Sequence, residues 1–373
     1  MQASLLTGRW PQEPGVYFNV GADHIDPATA LPRLLSGAGY QTVGEGKFWE
    51  FEARAMGFSN YTIRNYETFV RLDQDHLFDW LDARDPERPF FVWWAPELPH
   101  VPHDPPARLL AKIALEDVPV PAWFQGDEAA RVEFRARERV LLAMDAWLDE
   151  GLAALLTKLD ALGERENTLV VFLIDNGWAN GCVSKGWAFE KGLRTPVVFS
   201  WPRGIKKVQR SEALVSPVDV YATLLELAGV ELPAWNRGTS LAPALRGETP
   251  VTRDTLFGAL WPLEPTELPA DAARDAQALW ARSARWKYVL TLRDVDARAD
   301  AGSAQGERED VKVSLAPDFH RRRGEVELYD LVADPHEQQN LAARPEHAEL
   351  LAQLRRDTLA WWTANGGAPI ELP

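Results

Sequence analysis

The chain has 373 residues, 46% hydrophobic and 25% charged, which is long for one core and suits a large α/β unit with a smaller appendage. Its 55 acidic against 40 basic side chains give a net charge of −15, which argues against a general nucleic-acid binder but leaves room for an anionic small substrate in a locally positive cleft. The single cysteine, Cys182, excludes an intrachain disulfide, and no run is long and apolar enough to span a bilayer.

The first residues, MQASLLTGRWP, lack the charged and apolar regions of a signal peptide and read on their own as a helix N-terminus. Residues 31–40 predict a short helix closed by Gly37 or Gly39. Residues 41–43 follow as a short strand leading into Gly44-Glu45-Gly46-Lys47-Phe48-Trp49. A Gly-flanked lysine such as Lys47 is by itself usually just solvated. Residues 90–94 have the length and aromatic content of a buried strand, and a Pro-rich loop with His100 and His103 comes next. An imidazole there can hold or release a proton near neutral pH, although two exposed loop histidines would look the same. Val140, Leu141, Met144, Trp147, Leu148, Leu152 and Leu155 recur at helical spacing, which predicts one or two amphipathic helices over 129–162, with Asp145 a solvated or capping charge.

Residues 169–174 are an unbroken apolar run, the pattern of a strand buried on both faces, and the run stops at Asp175-Asn176-Gly177. In open α/β sheets ligands bind beyond the carboxyl ends of strands, and Asp175 and Asn176 offer the hard oxygens that calcium and magnesium prefer. Asn-Gly is equally a common turn pair. Lys185, Glu190 and Arg194 then lie in a Gly-punctuated segment that runs into a second apolar strand, 196–201. Residues 216–225 read as a scaffold helix. A boundary near 249–254 divides the chain into units 1–250 and 251–373. Beyond it, 255–261, 284–292 and 325–331 read as strands of an antiparallel sheet, and 294–324 as a long polar loop or partly disordered insertion. A terminal helix over 345–362 would bury Leu350, Leu351, Leu354 and Trp361. The 16 tryptophans suit packing against a sugar or aryl ring near the cleft, or plain core filling.

The segment SKGWAFEKGLRTPVVFSWP, preceded by a strand ending in D-N-G, resembles the G-K-x-x-x-Y-E-G-G-x-R-x-P stretch of the type I sulfatases, members of the alkaline phosphatase superfamily. Similar matches recur in order along nearly the whole chain. Residues 3–9 are similar to the tail of C/S-x-P-S-R-x-x-L-x-T-G-R, and residues 38–49 to A-G-Y-x-T-x-x-x-G-K-W-H, with Trp49 in place of the histidine. His100 resembles the histidine of the P-H-x-P loop, and residues 219–229 and 238–247 resemble D-x-x-P-T-L-L-x-x-A-G and G-x-S-L-x-P-x-L-x-G. Residues 327–341 resemble E-L-Y-D-L-x-x-D-P-x-E-x-x-N-L.

The resemblance implies a mostly parallel central sheet flanked by helices, alkaline phosphatase-like, with a smaller C-terminal antiparallel sheet plus helix. It implies a sulfuric ester hydrolase acting on a sulfated glycan or aryl ester. Lys47 and Lys185 would hold the sulfate oxygens, His100 would serve the leaving oxygen, and Asp175 and Asn176 would supply part of the shell of Ca2+, or of Mg2+. The nucleophile of the family, a formylglycine, would fall three residues before Met1, and the family's Asp-Asp metal ligands on a first strand would also precede it. A chain starting at Met1 would then be an incomplete, inactive fragment with a gap in its sheet beside 169–174. Two other readings are open: a non-catalytic sulfoglycan-binding remnant, and a phosphoester or phosphonate ester hydrolase of the same superfamily. The choice of ester would lie in loops such as 60–75 and 294–324, and the sequence leaves compartment and oligomeric state open.

Overall fold

The computed structural model describes residues 1–17, 24–48, 52–63, 74–121, 124, 126–177, 185–205, 209–261, 276–296 and 320–371. Trp49, Cys182 and most of the 60–75 and 294–324 loops lie outside the described residues.

Two short helices, α1 (Gln2–Thr7) and α2 (Leu31–Gly37), lead into three parallel strands. These are β1 (Gln41–Gly46), β2 (Asn60–Ile63) and β3 (Phe90–Ala95), in the order β2-β1-β3. Side chains alternate across a strand, so a strand packed on both faces needs an unbroken apolar run. β3 has one for that reason. Its Phe90, Val92 and Trp94 pack with Val43, Leu77, Leu81 and Leu155, which brings α3 (Asp75–Ala83) and α5 (Glu128–Ala161) against one face. Phe91, Trp93 and Ala95 point the other way, into a core with Leu5 and Leu6 of α1, Phe48 and Phe58. The short helix α4 (Ala107–Leu110) sits between α3 and α5 in the chain. α5 is one continuous helix of 34 residues. Its cap is Asp127, whose carboxylate accepts the Ala130 N–H at 2.9 Å, so Asp145 stands in mid-helix and caps nothing.

The apolar run at 169–174 becomes β4 (Val170–Leu173), paired antiparallel with β5 (Val197–Ser200). Val171, Leu173, Val197 and Phe199 share one face and pack on the α1 core. The other side is open: Val198 is 52% exposed and Ile174 40%. The expectation of burial on both faces is thus corrected to a half-buried ribbon, with packing from the α1 side among the described residues. Among the described residues β4 and β5 form their own ladder, separate from β2-β1-β3.

Beyond β4 come α6 (Glu190–Leu193), α7 (Pro217–Leu227) and α8 (Ala242–Leu245). α7 starts with a capping box between Ser216 and Asp219. Asp219 is fully buried and accepts from the N–H groups of Ser216 (2.7 Å) and Thr239 (2.8 Å) and from both arms of Arg253 (2.5 and 2.8 Å).

The C-terminal part contains β6 (Thr255–Leu260), β7 (Ala278–Ser283), β8 (Trp286–Thr291), β9 (Val295–Asp296), β10 (His320–Arg321) and β11 (Val326–Asp330). Four of them form an antiparallel sheet in the order β11-β8-β7-β6, and β9 pairs with β10. β7 was not expected, because ALWARS carries no β-branched residue; its place between two strands makes it one. The terminal helix α9 (Ala348–Ala364) covers one face of the sheet. Its buried stripe is Leu354, Thr358 and Trp362, spaced i, i+4, i+8. Leu350, Leu351 and Trp361 pack partly buried on the same core as expected, Trp361 beside Trp10 and Phe257 with ring centroids 5.4 and 5.9 Å away, and Trp362 is buried more deeply still.

Candidate active site

Lys47 leaves the carboxyl end of β1, and the residues before it fix where it leaves. Gly46 has φ +92°, and a Cβ on it would lie 2.2 Å from the Ala95 carbonyl oxygen. That close approach lets the Lys47 N–H donate to the same oxygen at 2.7 Å. The Tyr61 ring lies where a Cβ of Gly44 would be, 1.9 Å away, and the Tyr61 hydroxyl donates to the Gly46 carbonyl at 2.9 Å. Both glycines of Gly44-Glu45-Gly46 are therefore required by contact, and together they lock the exit of Lys47 to the end of β3.

Lys47 Nζ lies 3.3 Å from Asp175 Oδ2, so the carboxyl ends of β1 and β4 face one crevice. The Asp175 side chain is 41% exposed there and that of Lys47 16%. Burial pushes the Asp175 carboxyl up, but the ammonium groups of Lys47 and Lys185 outweigh it and hold the group below the usual carboxylate range. Asp175 is an anion with two cations around it. Asn176 follows directly, its Nδ2 donating to the Gly177 carbonyl at 2.9 Å. The Gly177 N–H donates to the Gly192 carbonyl at 2.9 Å, and a Cβ on Gly177 would lie 2.0 Å from the Lys191 carbonyl oxygen. The glycine of D-N-G is thus the point at which the strand end is pressed against α6.

His100 stands on the loop leaving β3, the parallel neighbour of β1. Its N–H donates to the Glu97 carbonyl at 2.7 Å, and its Nδ1 bonds the Val101 carbonyl at 3.1 Å. The Leu98–Pro99 and Val101–Pro102 peptides on either side are cis. Of the five residues expected at the site, Lys47, Asp175 and Lys185 are brought together, Asn176 adjoins them, and the hydrogen bonds of His100 described above stay within its own loop.

A hard divalent cation suits oxygen donors, and an ionised carboxylate beside a carboxamide fits that chemistry as part of a shell. Among the described residues no group of three or more His, Cys, Asp or Glu side chains is arranged to hold a metal. Sequence reasoning did not find Tyr61, nor the groups that hold Glu190 at the start of α6. Glu190 accepts from Arg282 (3.2 and 3.4 Å) and Lys287 (3.1 Å), and its N–H donates to Glu337 at 2.6 Å. These partners lie in the C-terminal part, far along the chain, and no local pattern marks them. The glycines beside Lys47, like Gly177, were a local signal of a close approach.

The family model described as Sulfatase matches residues 1–230. An N-acetylglucosamine-6-O-sulfatase of Bacteroides thetaiotaomicron is 24% identical to the chain, over 98% of the chain and 78% of that protein. The human N-sulphoglucosamine sulphohydrolase is 29% identical, over 97% of the chain and 79% of that protein. Among solved structures, that of BT4656 in complex with its substrate D-glucosamine-2-N,6-O-disulfate is similar with a TM-score of 0.75 at 21% identity, covering 98% of this chain and 88% of that one. The last comparison shows the shared fold, an α/β body with a parallel sheet and a small C-terminal antiparallel sheet, as expected of the alkaline phosphatase-like architecture.

Proposed function

The chain belongs to the sulfatase family, whose members are sulfuric ester hydrolases, and from that premise we propose a metal-dependent sulfatase of sulfated glucosamine-type glycans that uses Lys47, Lys185, His100, Asp175 and Asn176. One observation carries the reading: a carboxylate kept ionised between two lysines at the end of a strand, in an exposed crevice. Two ammonium groups there exceed what one carboxylate neutralises, so the crevice retains positive charge for an anion. A sulfate ester has non-bridging oxygens that Lys47 and Lys185 would hold, and charge that builds on them during S–O cleavage would be stabilised by groups already in place. Asp175 and the amide oxygen of Asn176 would hold a divalent cation, Ca2+ in our reading with Mg2+ as the other candidate. When bound, that cation supplies further charge stabilisation at the sulfate oxygens.

His100 would protonate the leaving alcohol oxygen. A carbonyl can only accept, so Nδ1 would donate to Val101, and the doubly protonated imidazolium would then give its Nε2 proton to the ester oxygen. The formylglycine that the resemblance implies falls before Met1, so these roles concern the groups around the ester. The glucosamine preference rests on the names of the relatives and on the ligand of the similar structure.

Calorimetric titration with N-acetylglucosamine 6-sulfate, with and without calcium, tests the reading. Binding is expected for the sulfated sugar, to be strengthened by calcium and to weaken in both Lys47→Ala and Lys185→Ala. Equal binding of unsulfated N-acetylglucosamine, or indifference to both substitutions, would overturn it.

A further inference from the structure

In the β7–β8 ladder Arg282 is directly opposite Lys287, so two cations stand side by side on one face of the C-terminal sheet. Like charges in that position repel, and Lys287 is fully buried, where an uncompensated ammonium is strongly unfavourable. The same face carries Ala278, Trp280 and Val289 and packs on Ala188 and Leu193, which bracket Glu190. Glu190 supplies the compensation. Its carboxylate takes Lys287 at 3.1 Å and Arg282 at 3.2 and 3.4 Å, while its N–H donates to Glu337 Oε2 at 2.6 Å. The second Glu337 oxygen lies 3.7 Å from Lys287 Nζ. Burial pushes the Glu190 carboxyl up, but Lys287 and Arg282 outweigh this and hold it below its ordinary range. The cluster therefore grips the ionised form.

α6 is also the piece that touches the sulfate site. Its Gly192 carbonyl receives the Gly177 N–H, and its Lys191 carbonyl occupies the space a Gly177 side chain would need. Upstream, Phe189 and Trp187 pack on Tyr329 and Leu331, so the segment between Lys185 and α6 is laid against the C-terminal sheet. A shift of Glu190 would move the Asp175–Gly177 turn from one side and Lys185 from the other.

We propose that Arg282 and Lys287 are positioning residues of the sulfate site, acting through Glu190 to hold α6 against the Asp175-Asn176-Gly177 turn. The inference rests on the assignment of Asp175, Asn176 and Lys185 to that site. Neither cation needs to touch the substrate. The two cations repel each other across the ladder and share one anion from the α/β body, Glu190, so the C-terminal sheet is part of the scaffold of the site.

The test uses the full chain with Glu190→Gln, Lys287→Met and Lys287→Arg. Amide hydrogen exchange should quicken by at least about tenfold in segments 175–177 and 185–194 of the first two variants, with β3 and α7 unchanged. Affinity for N-acetylglucosamine 6-sulfate should fall by about tenfold in the same two, and Lys287→Arg should restore both. Should Lys287→Met not fold, the isosteric Glu190→Gln decides. Exchange that quickens equally everywhere, or nowhere, overturns the proposal, as does Lys287→Arg behaving like Lys287→Met. A wild-type chain that binds no sulfated sugar but keeps the regional exchange pattern upholds the positioning of α6 and refutes the substrate reading.

Discussion

Substituting Gly177 by Ala tests the contact on which the site turns. The added Cβ would lie 2.0 Å from the Lys191 oxygen, 2.8 Å from the Lys191 carbonyl carbon and 2.9 Å from the Gly192 carbonyl carbon. All three are backbone atoms, so no side chain can rotate away, and the turn and α6 must part by about 1 Å to reach ordinary packing distances. That separation breaks the Gly177–Gly192 hydrogen bond, worth about 1 kcal/mol net. Overpacking of this kind costs a further ~1–3 kcal/mol. Gly177→Ala is therefore expected to lose about 2–4 kcal/mol in urea unfolding. Sulfated-sugar affinity should fall with it, because Asp175 and Asn176 ride on the same turn. Gly37→Ala is the control: it lies in α2 with nothing within 4 Å of its added Cβ, and should be neutral or stabilising by ~0.5–1 kcal/mol. A Gly177→Ala protein within about 0.5 kcal/mol of wild type would refute the reasoning.

Lys47→Ala should lower affinity for a sulfated sugar by about tenfold to a hundredfold, the worth of a charge-assisted hydrogen bond, and let the Asp175 carboxyl titrate higher by NMR. Asp219→Ala should cost about 1–3 kcal/mol in urea unfolding, since it removes the buried acceptor of Arg253 and of the Ser216 and Thr239 N–H groups. Burial, with further repulsion from Glu190 and Glu327, pushes Glu337 from 4.5 up to about 7 against the attraction of Lys287. Its folded state thus holds a proton that the unfolded chain has released, and the stability this gives is present below 4.5 and lost as pH rises through about 7. Over that window the loss is about 3 kcal/mol, and Glu337→Gln should remove it, so that the variant gains on wild type in urea unfolding at pH ~8 relative to pH ~4. An unchanged difference between the two proteins across the window would count against the buried carboxyl.

Much of the site was legible in the sequence because its parts obey local rules. Apolar and aromatic runs gave β3, β4 and β5, and strand ends are where an α/β sheet puts its ligands. Asp175-Asn176-Gly177 was found for that reason, and the order of the sulfatase-like segments tied it to Lys47, Lys185 and His100. The glycines were visible as well, although what each one admits was not. A sequence marks Gly177 as a turn residue, whereas the folded chain makes it the seat of the Lys191 carbonyl.

What only the tertiary structure decided concerns groups whose meaning comes from a partner far along the chain. ALWARS has no strand propensity to speak of and is a strand because β6 and β8 lie on either side. Residues 169–174 read as doubly buried, yet an apolar run records only that a strand can be covered; which faces are covered depends on the layers that arrive, and among the described residues the packing comes from the α1 side. Trp361 and Trp362 are indistinguishable by type, and the helix phase relative to the sheet left the first partly buried and buried the second fully. Lys287 is a lysine in a hydrophobic strand, a pattern that predicts nothing until Glu190 is brought to it from the other half of the molecule. Charge compensation in the interior acts through space at a few ångströms, and the sequence lists charges without their distances.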